Sequence, residues 1–480
     1  MKKIVVFAGG RGTDSLIQGL MHHEDIELTM LINAYDDGLS TGLVRRIIGD
    51  MLGPSDLRKN IARFASLSDN KSNRSLAKIL EYRFDLECKY DHGLAICNDF
   101  INLTFNSDTK HSKILNPLRE KLTFRQTLWL SNVIKLFFDY LDNKNSKNDE
   151  LTFNDMSLGN IIFSGAYLFN ERDFNKATKN LSEIAGVHAN ILNITQGEAL
   201  TLVAIKEDGE FLFDEASIVS KQTESKIKKL YLIPDSELKD IVYKISKTNV
   251  NSKKEEILSK ASKIPNLNKD AAKSIEQADL IIYGSGTQHS SLYPSYMTDG
   301  VFSKIKKNKL ARKIYIGNVQ RDHDSENETQ TTLFKKFLRY LIPNQDFKQI
   351  QNVVDTVILH KPNPELSDRF YDFDISDIKS KFKFDINVVQ KQLELKDGKH
   401  SFTRTTRELL NSVNVEEVSI NYSTKLISII IPSFNEDRYI QKTIDDVIDF
   451  TEKKSDFRYE IICVDGGSTD NTNKILNRYD

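Results

Sequence analysis

The chain has 480 residues, 39% of them hydrophobic and 28% charged, with a formal net charge of −1. The length predicts roughly two to four domains with real cores. The near-neutral charge excludes a general electrostatic pull towards nucleic acid. The three cysteines, Cys88, Cys97 and Cys463, are odd in number and lack zinc-ligand spacing, so a disulfide framework is not expected and a reducing, cytoplasmic setting is. The N-terminus runs from M-K-K straight into a short strand rather than a signal peptide, and no stretch approaches the roughly 18 apolar residues of a membrane span.

Residues 3–8 are an apolar run ending in Gly9-Gly10, read as a buried strand feeding a helix over 15–22. Residues 26–33 form a second strand, so the chain opens as βαβ and implies a parallel sheet. Residues 56–140 are helical in pattern and read as an insertion beside the sheet, followed by a polar loop at 142–150. A helix over 174–185 precedes a strand at 190–195, and 200–206 with 211–213 flank E-D-G-E as a hairpin. Short buried strands follow at 229–233, 279–283, 313–317 and 355–360. Residues 362–424 lose strand periodicity and read as terminal helices and a linker.

The loop Gly9-Gly10-Arg11-Gly12-Thr13 follows the first strand and opens a helix. Glycines let backbone approach a phosphate, and a helix start offers free N–H groups, although such a loop is also an ordinary tight turn. The second strand ends in N-A-Y-D-D-G-L-S-T-G, which puts Asp36 and Asp37 on the ligand side of an open α/β sheet. That acid pair suits Mg²⁺ held jointly with ligand phosphates; a solvated turn is the plainer reading. In G-P-S-D-L-R-K-N, Ser55 or Asp56 suits a helix cap, and Arg45, Arg46 and Arg58 suit phosphate oxygens. A second glycine loop, Gly284-Ser285-Gly286-Thr287, follows the strand D-L-I-I-Y. The acidic stretch 322–328 lacks calcium-loop spacing and reads as a surface loop near the crevice, His22-His23 as exposed, and His289 as a candidate substrate contact.

In order and spacing, G-G-R-G-T-D-S-L, N-A-Y-D-D-G-L-S-T-G, G-P-S-D-L-R-K-N, S-L-G-N at 157–160 and G-S-G-T-Q-H-S-S-L-Y-P resemble the 2-phospho-L-lactate transferase (CofD-like) family and its relatives, the UDP-sugar-binding gluconeogenesis factors. The likeness runs over 1–410, and R-R-I-I-G-D-M-L-G-P-S-D-L-R-K-N looks closer to the gluconeogenesis-factor branch. It implies a Rossmann-like three-layer α/β core with a parallel sheet and a helical insertion at about 60–150. It implies a GDP- or UDP-linked small molecule, and Mg²⁺ in the transferase branch, where a phospholactyl group passes to a deazaflavin alcohol. Carried across by motif, Gly9, Gly10, Arg11, Gly12 and Thr13 cradle phosphate, Asp36 and Asp37 are the catalytic and metal-holding acids, and Asn160 and Gly284 to Thr287 line the same crevice. The transferase branch shows a longer acid run than Asp36-Asp37, and Arg11 replaces a small residue.

After a linker at 411–424 a second unit begins. K-L-I-S-I-I-I-P-S-F-N-E and Y-E-I-I-C-V-D-G-G-S-T-D-N-T resemble the opening of a family 2 glycosyltransferase over 425–480. The resemblance implies that Asp465 and Glu436 meet a nucleotide-sugar and that Asp470 caps the following helix. The expectation is a domain short by on the order of 100 residues, and hence without sugar transfer of its own. Together these readings predict a nucleotide-diphosphate-linked transferase fused to a glycosyltransferase start. The alternative is a non-catalytic UDP-sugar-binding regulator. An NAD-dependent oxidoreductase is disfavoured because the glycines are spaced G-G-x-G rather than G-x-G-x-x-G. No nucleic-acid partner and no membrane span are expected, and a homo-oligomer is left open.

Overall fold

The computed structural model describes residues 1–10, 12–21, 25–102, 109–143, 151–222, 225–360, 386–391, 393, 409, 426–452, 458–477 and 479. Arg11, His22, His23 and the expected linker at 411–424 lie outside them.

Apolar runs too short for helices become the strands of one sheet: β1 (Lys2–Phe7), β2 (Ile26–Ile32), β3 (Asn190–Asn193), and, later, β7 (Leu280–Tyr283), β8 (Arg312–Ile316), β9 (Thr356–His360) and β10 (Asn387–Lys391). Between them, β4 (Leu200–Lys206), β5 (Phe211–Leu212) and β6 (Ile227–Pro234) form a separate antiparallel sheet ordered β5-β4-β6. The large sheet is ordered β10-β9-β8-β7-β1-β2-β3, and every described pairing in it is parallel. This is an α/β fold of Rossmann-like order, as the βαβ opening predicts. Residues Ile4 to Phe7 and Leu280 to Tyr283 are at most 1% exposed. Burial on both faces is what lets these strands be continuously apolar instead of alternating. β10 corrects the sequence expectation for 362–424. Its N-V-V-Q-K segment is an edge strand, and only Asn387 to Lys391 with three isolated neighbours in that stretch are described.

The predicted helical stretch comprises α3 (Ser55–Ser66), α4 (Lys71–Glu81), α5 (Tyr90–Asn102), α6 (Lys110–Arg119) and α7 (Phe124–Asn143), after α1 (Asp14–Met21) and α2 (Leu39–Ile48). α8 (Leu158–Phe169) and α9 (Phe174–Ile184) lead back to β3. α8 is buried along almost its whole length because its sequence, L-G-N-I-I-F-S-G-A-Y-L-F, has no charged residue. A small residue sets its distance from α7: a Cβ on Gly165 would stand 1.8 Å from the Val133 carbonyl oxygen.

The C-terminal module has β11 (Leu426–Ser433), a helix Ile440–Glu452, β12 (Arg458–Asp465) and a short helix Thr472–Leu476. β11 and β12 pair in parallel, from Leu426 opposite Arg458 to Ser433 opposite Asp465. Ile431, Ile440, Ile444 and Ile475 form its core. The module and α1 fall in a smaller compact unit, and the larger unit holds Met1–Thr13 and Asp25–Ile358.

Gly165→Ala tests the close helix approach. Its methyl group can be accommodated only by moving backbone, so a loss of about 2–3 kcal/mol is expected, read as a lower denaturant midpoint. An unchanged midpoint would mean that α7 and α8 do not meet there.

Candidate functional site

In an open α/β sheet the crevice opens where strand order reverses, at the carboxyl ends of the strands. Here β1 lies between β7 and β2, so the chain runs one way from β1 through β2 and the other way from β7 through β8. The first glycine loop leaves β1 and the second leaves β7, and the two meet. A Cβ on Gly12 would be 2.3 Å from the Gly286 Cα and 2.7 Å from the Ser285 carbonyl oxygen. Ser285 Oγ donates to the Gly12 carbonyl at 2.7 Å. Gly286 has φ +147, a conformation that favours glycine. Thr13 is fully buried, and among the described residues its Oγ1 has no hydrogen-bond partner.

α3 holds the first loop. Asn60 Nδ2 donates to the Gly9 carbonyl at 2.9 Å, and Arg63 Nη2 to the Gly10 carbonyl at 2.9 Å. Neither Ser55 nor Asp56 caps this helix, which follows Pro54 without a side-chain cap. Ser55 Oγ instead pairs with Thr41 Oγ1 at 2.5 Å. The Asp56 carboxylate pairs with Lys59 at 3.4 Å and lies beside Gly10, where a Cβ would be 2.5 Å from Asp56 Oδ1.

The acid pair follows β2. Asp36 Oδ1 accepts from the Gly38 N–H at 2.9 Å, and Oδ2 from Thr41 Oγ1 at 3.2 Å. Asp37 Oδ1 accepts from the Glu215 N–H at 2.9 Å, across 178 residues. That bond brings in α10 (Glu215–Val219) and a carboxyl that the sequence motifs do not reveal. Burial first, then the charges of Asp36, Asp56 and Asp37, push Glu215 up to about 9. Burial raises Asp37 to about 6 against the opposing charge of Arg45, and burial raises Asp56 as well. The only local signal for Glu215 is the F-D-E-A-S helix start after the hairpin, where Asp214 caps through the Ser217 N–H at 2.8 Å. Nothing in its spacing points to Asp37.

Arg58 and Arg45 turn towards protein, whereas Arg46 is exposed. Arg58 is 3% exposed; its Nε donates to Asn160 Oδ1 at 3.1 Å and its Nη1 to the Leu80 carbonyl at 2.7 Å. Asn160 Nδ2 in turn reaches Ser40 Oγ at 3.0 Å, so Arg58 and Asn160 brace the acid-bearing loop from beneath. Burial lowers Arg58 to about 10. Arg45 Nη2 reaches the Leu200 carbonyl at 2.9 Å and Asp235 at 3.1 Å, tying the same loop to the antiparallel sheet.

Around the second loop, the Gly286 N–H donates to Asn318 Oδ1 at 3.0 Å, and Asn318 Nδ2 returns to the Gly286 carbonyl at 2.9 Å. His289 is 1% exposed in a π-helical turn, Gln288–Leu292, that continues the loop. Asn33 Nδ2 reaches the Ser290 carbonyl and Ser295 Oγ, each at 3.4 Å, joining this turn to the end of β2. Asp322, in the acidic stretch, is raised to about 7 by burial and then by the charge of Asp324.

No group of three or more His, Cys, Asp or Glu side chains among the described residues is arranged as a ready metal cage. A cation that shares its shell with ligand phosphates needs only one or two carboxylates. Asp36 and Asp37 supply hard oxygen donors of that kind, with Glu215 adjoining. In the C-terminal module the Asp465 carboxylate accepts from the Ser468 N–H at 2.9 Å, the Gly467 N–H at 3.1 Å and Asn473 Nδ2 at 3.0 Å. The Ser468 hydroxyl, at 2.5 Å from Oδ1, and then the Ser468 and Gly467 N–H groups hold it below the usual carboxylate range. The Glu436 N–H donates to Thr472 Oγ1 at 2.8 Å. Asp470, one residue before the helix cap at Asn471, accepts from the Thr472 N–H at 2.9 Å.

Residues 4–397 match the family described as 2-phospho-L-lactate transferase CofD, and residues 428–480 match glycosyl transferase family 2. The chain is similar to a putative gluconeogenesis factor of Thermotoga maritima, 24% identical over 370 residues, covering 77% of this chain and 82% of that protein. It is similar to the gluconeogenesis factor of Bacillus subtilis, 23% identical over 317 residues, covering 66% and 68%. A 60-residue stretch is 37% identical to human dolichyl-phosphate beta-glucosyltransferase, covering 12% of this chain and 18% of that enzyme. In fold the chain is similar to the crystal structure of a member of the UPF0052 family from Bacillus halodurans, with TM-score 0.56, 18% identity, and 85% and 99% of the two chains covered. No helix among the described residues is long and apolar enough to cross a membrane.

Glu215 gives the site a pH signature. Its proton is held in the folded chain between the ordinary 4.5 and about 9, and is lost above 4.5 in the unfolded chain. The folded state therefore binds more protons in that window, and this contribution to stability is full below 4.5 and disappears as pH rises through 9. Glu215→Gln keeps the shape and removes the titration. Without divalent cations its melting temperature should exceed that of the wild type at about pH 9 and converge with it near about pH 5. A difference independent of pH would rule out the raised pKa.

Proposed function

The chain belongs to the 2-phospho-L-lactate transferase CofD family, and on that premise we propose that its larger unit binds a nucleotide-diphosphate-linked small molecule and transfers the linked group. The observation that carries this reading is the contact between the two glycine loops at the strand-order reversal. With no side chain at this seam, the loop N–H groups other than those of Gly284 and Gly286, which bond the Phe7 carbonyl and Asn318, would be open to the crevice. That is the surface a diphosphate can approach. Gly9, Gly10, Gly12 and Thr13 would take one phosphate, and Gly284 to Thr287 the other. The unpartnered hydroxyl of Thr13 supports this placement.

Asp36 and Asp37 would hold Mg²⁺ together with the ligand phosphates, and the cation would neutralise charge on the phosphoryl oxygens. The chain's own residues position and hold protons. Asp37, raised to about 6 by burial, is ionised near neutral pH and so available to the cation. Glu215, still protonated there, offers its hydrogen to Asp36 and keeps that carboxylate oriented. Arg58, Asn160 and Arg45 act by fixing the acid-bearing loop rather than by meeting phosphate. In the C-terminal module, Asp465 and Glu436 stand at the strand end where a nucleotide-sugar would lie, by likeness to family 2 glycosyltransferases.

A second reading has a specific observation behind it. The relatives over the larger unit are named gluconeogenesis factors. On this reading the same crevice binds a UDP-linked sugar without turnover and the output is regulatory.

Ligand binding and turnover separate these readings. The full chain would be titrated with GDP, UDP and UDP-N-acetylglucosamine, with and without Mg²⁺, by thermal shift. A ligand at 100 times its Kd should stabilise the folded state by about 2.7 kcal/mol. Gly12→Ala, whose methyl group would force the loops apart, should abolish the shift. Consumption of a nucleotide-linked donor, lost in Asp36→Ala, supports transfer, and binding without consumption supports the regulator. If no nucleotide stabilises the wild type, both readings fall.

A further inference from the structure

We propose that His289 and Asp324 are positioning residues that hold the second glycine loop in its diphosphate-binding shape, an inference that rests on the nucleotide reading above. The geometry is a two-point strap. Residues after β8 return to the loop first at Asn318, which exchanges hydrogen bonds with both backbone groups of Gly286 at 3.0 and 2.9 Å. They return again at Asp324, whose Oδ2 accepts from the His289 N–H and from His289 Nδ1, each at 3.0 Å. One carboxylate oxygen thus fixes both the backbone and the ring of the residue two places after Thr287. The turn it fixes is π-helical, a geometry wider than an α-helix and rarely kept without support.

The charges around the pair explain why it is a clamp rather than an acid–base group. Lys336 Nζ stands 3.3 Å from His289 Nε2 and pairs with Glu328 at 2.6 Å, and Lys226 lies 3.9 Å from Glu328. Two carboxylates and two ammonium groups balance when His289 is neutral. In that state Nδ1–H donates to Asp324 and Nε2 accepts from Lys336, so every position of the ring is used. Burial, then the charge of Lys336, lowers His289; burial would raise Asp324, but its bonds to His289 outweigh that and hold it low. The edge of the Tyr293 ring closes the remaining side, 5.2 Å between centroids.

The strap also reaches the acid side of the crevice. The Gln222 N–H donates to the His323 carbonyl at 3.2 Å, and Gln222 Nε2 donates to the Ser217 and Ile218 carbonyls of α10 at 3.0 and 2.9 Å. Asp324 and Glu215 are therefore placed by one continuous set of bonds. Displacing Asp324 should disturb the phosphate end of the site directly.

The test uses the full chain and calorimetric titration with GDP, UDP and inorganic pyrophosphate, beside the melting temperature of each unliganded protein. His289→Leu and Asp324→Asn should each weaken whichever of these the wild type binds by about tenfold, the worth of one charge-assisted hydrogen bond. His289→Asn, whose Nδ2 can stand where the ring Nδ1–H stood, should restore affinity to within about threefold of wild type at an unchanged melting temperature. Restoration by the amide and not by the apolar side chain supports positioning. Wild-type affinity in both His289→Leu and Asp324→Asn, or equal loss in His289→Leu and His289→Asn, overturns it. Should His289→Leu fail to fold, Asp324→Asn decides: undiminished affinity overturns the proposal. A wild type that binds none of the three probes instead brings down the nucleotide reading, and this proposal with it.

Discussion

The contact between Gly12 and Gly286 is the constraint on which the proposed site depends. β1 and β7 are hydrogen-bonded neighbours, so the loops leaving them must either diverge or touch. They touch because Gly12 has no Cβ: a methyl group there would stand 2.3 Å from the Gly286 Cα, well inside van der Waals contact. Everything else in the crevice is arranged around that seam. α3 grips the first loop by its Gly9 and Gly10 carbonyls, the strap after β8 grips the second at Gly286, and Asn33 ties the following turn to β2. With the Gly9 carbonyl held from behind, the Gly10 N–H of the same peptide would be left for a ligand.

Buried polar side chains do most of this holding, and each would be expensive if left unpaired. Arg58 is the clearest case. Its guanidinium lies in the interior with Asn160 and the Leu80 carbonyl, and Asn160 passes the constraint on to Ser40 within the acid-bearing segment. Arg45 does the same from the other side through Asp235 and Leu200. Such networks contribute little net stability, yet they select one loop conformation over others, which is what a preorganised anion site requires.

The fold was legible because its strands are buried on both faces and so announce themselves as unbroken apolar runs; β1, β2 and β7 lie within a residue of where periodicity puts them. β10 was not legible, because an edge strand such as N-V-V-Q-K carries too short an apolar run to stand out from charged surroundings. Within the site, glycines and adjacent acids are conspicuous in one dimension. Glu215 and Asp324 are not, because their relevance comes from bonds that span 178 and 35 residues. Arg45 and Arg58 were hard to place for a related reason: sequence reports that a cation is near a loop, but not whether its guanidinium faces the crevice or the core. Arg58 faces the core because Leu80 and Asn160 offer acceptors there.

The acid side of the crevice poses a charge problem that any diphosphate ligand makes worse. Two like unit charges about 4 Å apart repel by about 4 kcal/mol at an effective dielectric constant of 20. After burial, the charges of Asp36, Asp56 and Asp37 already raise Glu215, and that of Asp36 raises Asp37 and Asp56, before a phosphate arrives. Two remedies exist. The carboxyls can keep protons, as Glu215 does up to about 9, or a divalent cation can replace those protons. The two differ in sign with pH. A proton-neutralised site binds its anion less well as pH rises, whereas a cation-neutralised site binds better until the carboxyls are fully ionised. Because burial raises Asp37 to about 6 and Glu215 to about 9, the physiological range falls between the two, where one carboxyl would be free to hold a cation while the other remained a hydrogen-bond donor.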